Sequence, residues 1–141
     1  MYQVMIFLHI IGALALGFYL FLPFVFGRIG KLSLAAREGT VSAVSSLNRY
    51  AQIGLVVQLL TGGYLIGKGE YSVPWMIVIV VLFLAIGAFS GIMGKPLRLI
   101  LEGIRQNKSV TVEEGKLRTL SALLSVTVLL ISFFMVFSTI I

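Results

Sequence analysis

The chain has 141 residues, of which 59% are hydrophobic and 11% are charged, and its mean hydropathy is +1.08. A water-soluble domain carries about twice that charged fraction, so this composition excludes an ordinary soluble domain and favours a lipid environment. The absence of cysteine excludes disulfides, thiolate metal sites and a catalytic thiol.

Four apolar runs are each long enough to cross about 30 Å of hydrocarbon at about 1.5 Å per residue. In chain order they are residues 2–26, 47–67, 73–94 and 117–141. They predict an all-α fold in which residues 1–141 form a single transmembrane domain, an integral membrane four-helix bundle. The first run is too long for the apolar core of a signal peptide, and no basic segment precedes it.

Ten of the eleven Lys and Arg residues fall in or beside two connecting segments, residues 27–46 and 95–116. The positive-inside rule makes these segments cytoplasmic loops, with the N and C termini outside. Arg49, Lys95 and Arg98 are then expected at the cytoplasmic interface. This placement accounts for the net charge of +6 without nucleic acid as a partner. We expect a multi-pass membrane protein.

The second connecting segment carries local signals. Thr111-Val112-Glu113-Glu114 reads as a capping box that starts the fourth helix. Lys95-Pro96 predicts the end of the third helix or the start of a new one. Between Leu97 and Ile104, apolar and charged residues alternate as in a short interfacial turn that contacts lipid head groups.

The only histidine, His9, lies in the first apolar run. Successive helical residues turn by about 100°, which places small and apolar residues within about 60° of His9. These residues are Tyr2, Met5, Gly12, Ala13, Leu16 and Leu20. Small residues allow helices to approach closely inside membranes, so this face is predicted to point into the bundle.

The second apolar run has a similar face, with Gln58 and Thr61 as its polar members. At the helical rise per residue, His9, Thr61 and Met135 all lie about 10 Å below the outer boundary. The predicted outer-half pocket consists of Tyr2, Met5, His9, Gln58, Thr61 and Met135.

Three interpretations of His9 remain open at this point. It hydrogen-bonds Thr61, Gln58 or a backbone carbonyl and fixes helix packing. Alternatively, it ligates haem iron or a copper ion, with Met5 or Met135 as partner. Finally, it moves protons in a redox reaction, because imidazole titrates near neutral pH. A haem site with two histidines would need a second subunit.

Two stretches resemble a known group of proteins. Phe7-Leu8-His9-Ile10-Ile11-Gly12-Ala13 resembles the LHxxGA opening of small bacterial membrane proteins, and Asn48 to Tyr64 is similar to their "R-aromatic-A…G…LLTG-x-Y" helix. The group comprises the copper-resistance protein D family, its uncharacterised four-helix relatives and, more distantly, HemJ-type protoporphyrinogen oxidases. The resemblance covers roughly residues 1–67.

The resemblance implies a four-helix membrane bundle with a histidine in its first helix. For the copper family it implies passage of metal across the membrane. For the HemJ-type enzymes it implies haem bound by that histidine and oxidation of a porphyrinogen. The uncharacterised relatives fit best, because this chain has a single histidine and a single tryptophan.

The leading expectation is a small membrane protein that binds haem or copper around His9. The alternatives are a non-catalytic structural or accessory subunit of a membrane complex and a porphyrinogen oxidase, so enzymatic activity stays an open question. Four short helices bury little surface, and a homo-oligomer or a larger membrane complex within the lipid bilayer is therefore expected.

Overall fold

Helices make up every regular element of the computed structural model, which describes residues 1–140. Two short 3-10 turns, Gly17–Leu20 and Ile29–Lys31, flank the second α-helix. The α-helices are α1 (Tyr2–Leu16), α2 (Leu22–Arg28), α3 (Leu34–Lys68), α4 (Val73–Arg105) and α5 (Thr111–Val136). With Tyr2–Lys31 counted as one segment, this part of the chain has four helical segments long and apolar enough to cross a membrane. The predicted all-α fold with four membrane-length helices is confirmed.

The four spans pack around one core. α1 packs on α3, α3 on α4 and α4 on α5, while the turn Gly17–Leu20 and α2 pack back on α5. Fully buried side chains from every span meet in this core, among them Tyr19, Phe26, Val41, Ile86 and Leu124. The first half of the first span therefore packs mainly on α3, and its second half packs mainly on α5.

The two ends of the bundle differ in charge. Trp75 Nε1, at the start of α4, donates a hydrogen bond to the carbonyl oxygen of Phe134, near the end of α5, at 2.7 Å. His9, near the start of α1, contacts Thr61, near the end of α3. We call this the terminal end, because the first and last helices have their free ends there. At the opposite end, which we call the basic end, lie the connections that carry most of the Lys and Arg residues.

The first span is broken where Pro23 enters α2. Proline has no N–H to donate to the carbonyl four residues earlier, and its ring crowds that carbonyl, which belongs to Tyr19. The chain responds with the 3-10 turn Gly17–Leu20. The Leu20 carbonyl oxygen is then satisfied from α5, since Ser125 Oγ donates to it at 3.2 Å.

The segments predicted as loops, residues 27–46 and 95–116, are mainly helical. α3 begins at Leu34, well before the apolar run. Ser33 caps this start, because its Oγ accepts a hydrogen bond from the Ala36 backbone N–H at 3.2 Å. Hydropathy locates the apolar part of a helix, whereas caps and packing decide where the helix begins and ends.

Pro96 lies inside α4, so the prediction that Lys95-Pro96 ends a helix or starts a new one is wrong. The helix continues because Pro96, Leu97 and Ile100 on its inner face are buried in the bundle, which offsets the lost backbone hydrogen bond. The predicted interfacial turn is part of the same helix. Most of its apolar face points into the bundle, since Leu97 and Ile100 are fully buried and Ile104 is 8% exposed.

α5 begins at the predicted Thr111, but without the predicted capping box. Val110 is the N-cap residue, and no side chain caps the helix. The Glu114 carboxylate forms a salt bridge with Arg37 of α3, with 3.3 Å between Glu114 Oε1 and Arg37 Nη1. It is directed to this cation instead of returning to a backbone N–H of its own helix, which is why no capping box forms.

Glycine brings α1 and α3 into close contact. Gly12 is buried, and a Cβ atom built on Gly54 would lie 3.1 Å from the Cβ of Ala15 and 3.5 Å from the Gly12 carbonyl oxygen. The small-residue face of the first helix thus meets the second span, although Ala13 and Tyr2 on that face are exposed. This close approach positions His9 against α3.

Candidate functional site

His9 is held by α3 through one of its two ring nitrogens. Its Nδ1 lies 2.8 Å from Thr61 Oγ1, and Thr61 is 3% exposed. The Thr61 hydroxyl also lies 2.7 Å from the carbonyl oxygen of Val57, one turn earlier on α3. A threonine inside a helix commonly donates to that carbonyl. The hydroxyl then accepts from the His9 Nδ1–H, and the lone pair of the ring is on Nε2.

Gln58 contacts the same side of the ring. With its amide nitrogen turned toward α1, it donates to the His9 carbonyl oxygen at 2.8 Å, and its amide oxygen accepts from the Ala13 N–H at 3.2 Å. The opposite orientation would place oxygen against oxygen and donor against donor. The amide nitrogen is also 3.0 Å from Nδ1, so it competes with Thr61 for that nitrogen. A bond from the Gln58 amide to Nδ1 would require the lone pair on Nδ1, whereas the bond to the Thr61 hydroxyl places the proton there. The Thr61 contact is the shorter, 2.8 Å against 3.0 Å, so we assign the proton to Nδ1 and the lone pair to Nε2.

Two other residues of the predicted pocket lie on α1 itself. Met5 is half-buried and lies one helical turn from His9, toward the terminal end. Tyr2, at the start of α1, is 52% exposed. The structure therefore places Met5 on the same helix face as His9, while the Tyr2 side chain is largely outside the bundle.

Met135 is not brought to His9. It is 38% exposed on α5, and the end of that helix is tied to α4 by the bond between Trp75 and Phe134. α1 packs extensively on α3, and no comparable packing joins it to α5. The shared depth of Met135 and His9 thus does not make them neighbours.

The residues predicted for the cytoplasmic interface, Arg49, Lys95 and Arg98, are all exposed. Arg49 lies on α3, and the other two lie on α4 beside Pro96. Exposed long basic side chains on the outer surface of a membrane-length helix can extend toward the polar boundary.

A buried polar cluster escaped the sequence analysis. Tyr19 Oη donates to Asn48 Oδ1 at 2.6 Å, and Asn48 Nδ2 donates to the Ser90 carbonyl oxygen at 3.1 Å. Gln52 Nε2 reaches the same carbonyl at 3.4 Å. We call Tyr19, Asn48 and Ser90 the buried polar cluster; Gln52, at its edge, is exposed. The cluster joins the first three spans. The sequence feature that could have predicted it is Asn48, whose amide lies at an apolar core position and therefore needs a hydrogen-bond partner.

Two arginines close the basic end of the bundle and were also missed. Arg37 donates from Nε to the Ile29 carbonyl oxygen at 3.1 Å and from Nη2 to the Gly30 carbonyl oxygen at 3.2 Å. Arg118 Nε donates to the Phe26 carbonyl oxygen at 3.0 Å. These carbonyls lie at the end of the first span, where the guanidinium groups donate to them; the Ile29 oxygen also accepts from the Leu32 N–H at 3.2 Å.

The donor chemistry around His9 fits one metal–imidazole bond. A metal-ligating histidine typically donates its other ring N–H to a fixed acceptor, and Thr61 provides such an acceptor for Nδ1. Among residues 1–140, no cluster of three or more His, Cys, Asp or Glu side chains could hold a metal ion. Of the predicted pocket residues, Met5 is the soft ligand on the same helix face as His9.

Comparison of the chain with models of protein families, with curated proteins and with solved structures finds no match.

Proposed function

We propose that this is a multi-pass protein of the bacterial plasma membrane, with its basic end in the cytoplasm and both termini outside. The charge distribution supports this orientation, because ten of the eleven Lys and Arg residues lie at or toward the basic end and Lys68 lies at the other.

The absence of native cysteine makes the orientation easy to test. Single cysteines introduced as Glu70→Cys, at the terminal end, and Asn107→Cys, at the basic end, should behave differently in intact cells. A maleimide that cannot cross membranes should label the first variant and not the second. Labelling of Asn107→Cys alone would overturn the proposed orientation.

We further propose that His9 binds a haem iron or a copper ion through Nε2. The observation that carries this proposal is the contact between Nδ1 and Thr61, which orients the ring and favours the tautomer with its lone pair on Nε2. The resemblance to the copper-resistance protein D group supports the same two ligand classes. A bound metal would supply redox chemistry, while the protein would orient the imidazole and limit access of water.

The second ligand differs between the two classes. A copper ion could take the thioether of Met5, since sulfur and imidazole both suit copper. A haem iron with two histidine ligands would need His9 from a second copy, because the chain has no other histidine. The haem form of the proposal thus includes a homo-oligomer.

The test is the visible spectrum and metal content of protein purified after expression with haem or copper supplied. We expect His9→Ala to abolish retention of the ligand. Thr61→Val should weaken retention roughly 10- to 100-fold, the usual effect of losing a group that orients a metal ligand. Thr127→Val is the matched control, because Thr127 is equally buried and bonds only its own helix.

A colourless, metal-free wild-type protein under these conditions would overturn the proposal. So would a Thr127→Val variant that loses as much ligand as Thr61→Val. Size-exclusion chromatography of each variant separates loss of ligand from loss of fold.

A non-catalytic accessory subunit is the second candidate function. It is favoured by the sparse contacts of α1, in which only Gly12 and Leu16 are buried and which packs mainly on α3. A partner helix could cover the rest of α1. Copurification of a partner from native membranes, lost on replacement of exposed α1 residues such as Phe7, would support this candidate.

A further inference from the structure

A groove runs between α4 and α5 at the basic end of the bundle, with a volume of about 600 Å³. Its walls are mainly Ile92, Lys95 and Leu99 of α4 and Glu113, Lys116 and Leu120 of α5. The side chains of α4 and α5 that fill the core, such as Met93, Leu97 and Leu117, occupy other positions on these helices. The groove therefore opens on the outer surface of the hairpin, where a membrane-spanning protein meets lipid.

The chemistry of the groove changes in order along its length. From the middle of the bundle toward the basic end, α4 contributes Ile92, then Lys95, then Leu99. The antiparallel α5 contributes Leu120, then Lys116 and then Glu113 in the same direction. Two apolar side chains thus form the inner part, two lysines follow, and a carboxylate lies nearest the end of the bundle.

The two lysines lack the carboxylates that neutralise other cations at this end. Within residues 1–140, Glu114 pairs with Arg37 and Glu38 with Arg105, whereas no salt bridge involves Lys95 or Lys116. Both lysine side chains are exposed. Two ammonium groups beside an apolar wall, near the membrane boundary, match a phosphodiester that carries acyl chains.

We propose that this groove binds an anionic phospholipid, with its phosphodiester at Lys95 and Lys116 and an acyl chain along Ile92 and Leu120. The charged lining of two lysines and Glu113 has a net charge of +1, which complements the single negative charge of phosphatidylglycerol better than a zwitterionic head group, and Glu113 can accept hydrogen bonds from its hydroxyls. The carboxylate disfavours head groups with further negative charge. The proposal requires insertion of the protein in a membrane but not the ligand site at His9.

Native mass spectrometry of the full-length protein in detergent tests the proposal. Phosphatidylglycerol, phosphatidylethanolamine and phosphatidylcholine are supplied in equal amounts, and we expect one phosphatidylglycerol to be retained preferentially. The double variant Lys95→Gln/Lys116→Gln should retain it about 30-fold less, since each lysine near an anionic lipid contributes about a factor of five.

The matched control is Lys31→Gln/Lys108→Gln, which removes the same charge from exposed lysines at the basic end outside the groove. It should retain the lipid as the wild type does, and so should Lys95→Arg/Lys116→Arg. Equal losses in the groove and control pairs would overturn the proposal, because they would indicate a general surface potential. Retention of phosphatidylcholine or phosphatidylethanolamine as strongly as phosphatidylglycerol would also overturn it.

Discussion

Replacement of Tyr19 by phenylalanine should lower the free energy of unfolding by about 1 kcal/mol. The change removes the hydroxyl that donates to Asn48 Oδ1 at 2.6 Å, in a site where Tyr19 is fully buried and Asn48 is 4% exposed. Hydrogen bonds between membrane helices contribute about 0.6 kcal/mol on average and at most about 1.7 kcal/mol. We expect a value above the average, because the substitution leaves Asn48 Oδ1 buried without this donor.

Asn48→Leu should lower the free energy of unfolding by about 1–3 kcal/mol, since it leaves the Tyr19 hydroxyl buried without its acceptor. The Ser90 carbonyl is less affected, because Gln52 Nε2 also reaches it, at 3.4 Å. In the double variant both partners are apolar and neither is left unsatisfied. The double variant should therefore be more stable than the two single losses predict, with a coupling energy of about 1 kcal/mol.

The assay is unfolding in mixed micelles by increasing amounts of sodium dodecyl sulfate, followed by circular dichroism. Tyr50→Phe is the matched control, because Tyr50 lies on α3 and is 67% exposed. Equal effects of Tyr19→Phe and Tyr50→Phe would refute the reasoning. A coupling energy below about 0.3 kcal/mol, within which independent sites add, would refute it as well.

Two further predictions concern helix contacts. Gly12→Ala should lower the free energy of unfolding by about 1–3 kcal/mol, because the new Cβ would lie 2.8 Å from the end of the Gln58 amide and displace it from its bonds to the backbone of α1. Gly17→Ala meets no atom within 4 Å and should not lower stability in the same assay. Trp75→Phe should lower the free energy of unfolding by about 1 kcal/mol, because it removes the hydrogen bond to the Phe134 carbonyl oxygen. If circular dichroism finds this variant as stable as the wild type, the bond does not contribute as expected.

The sequence was sufficient to predict the four spans and one contact between them. Hydropathy locates each span, and the helical period places His9 on the small-residue face of the first. Because Thr61 occupies the same depth on a similar face, their hydrogen bond was among the interpretations, and the structure has it at 2.8 Å. Depth and face are properties of a single helix, which is why they could be predicted.

The helix ends and the buried polar cluster could not be predicted in the same way. The start of α3 depends on the cap at Ser33, and the continuation of α4 through Pro96 depends on burial against other helices. The partner of Asn48 depends on which spans are neighbours, which hydropathy does not specify. Each of these features is decided by packing between helices.

The same limit explains why His9 contacts Thr61 while Met135 lies elsewhere. Depth below the membrane boundary is a single coordinate, and it places both Thr61 and Met135 at the level of His9. The order of helices around the bundle supplies the missing coordinate, because α1 packs on α3 whereas α2 packs on α5. The break at Pro23 separates these two halves of the first span, and the half that carries His9 is the one that packs on α3. A proline outside the predicted pocket thus helps to decide which side chains can surround the histidine.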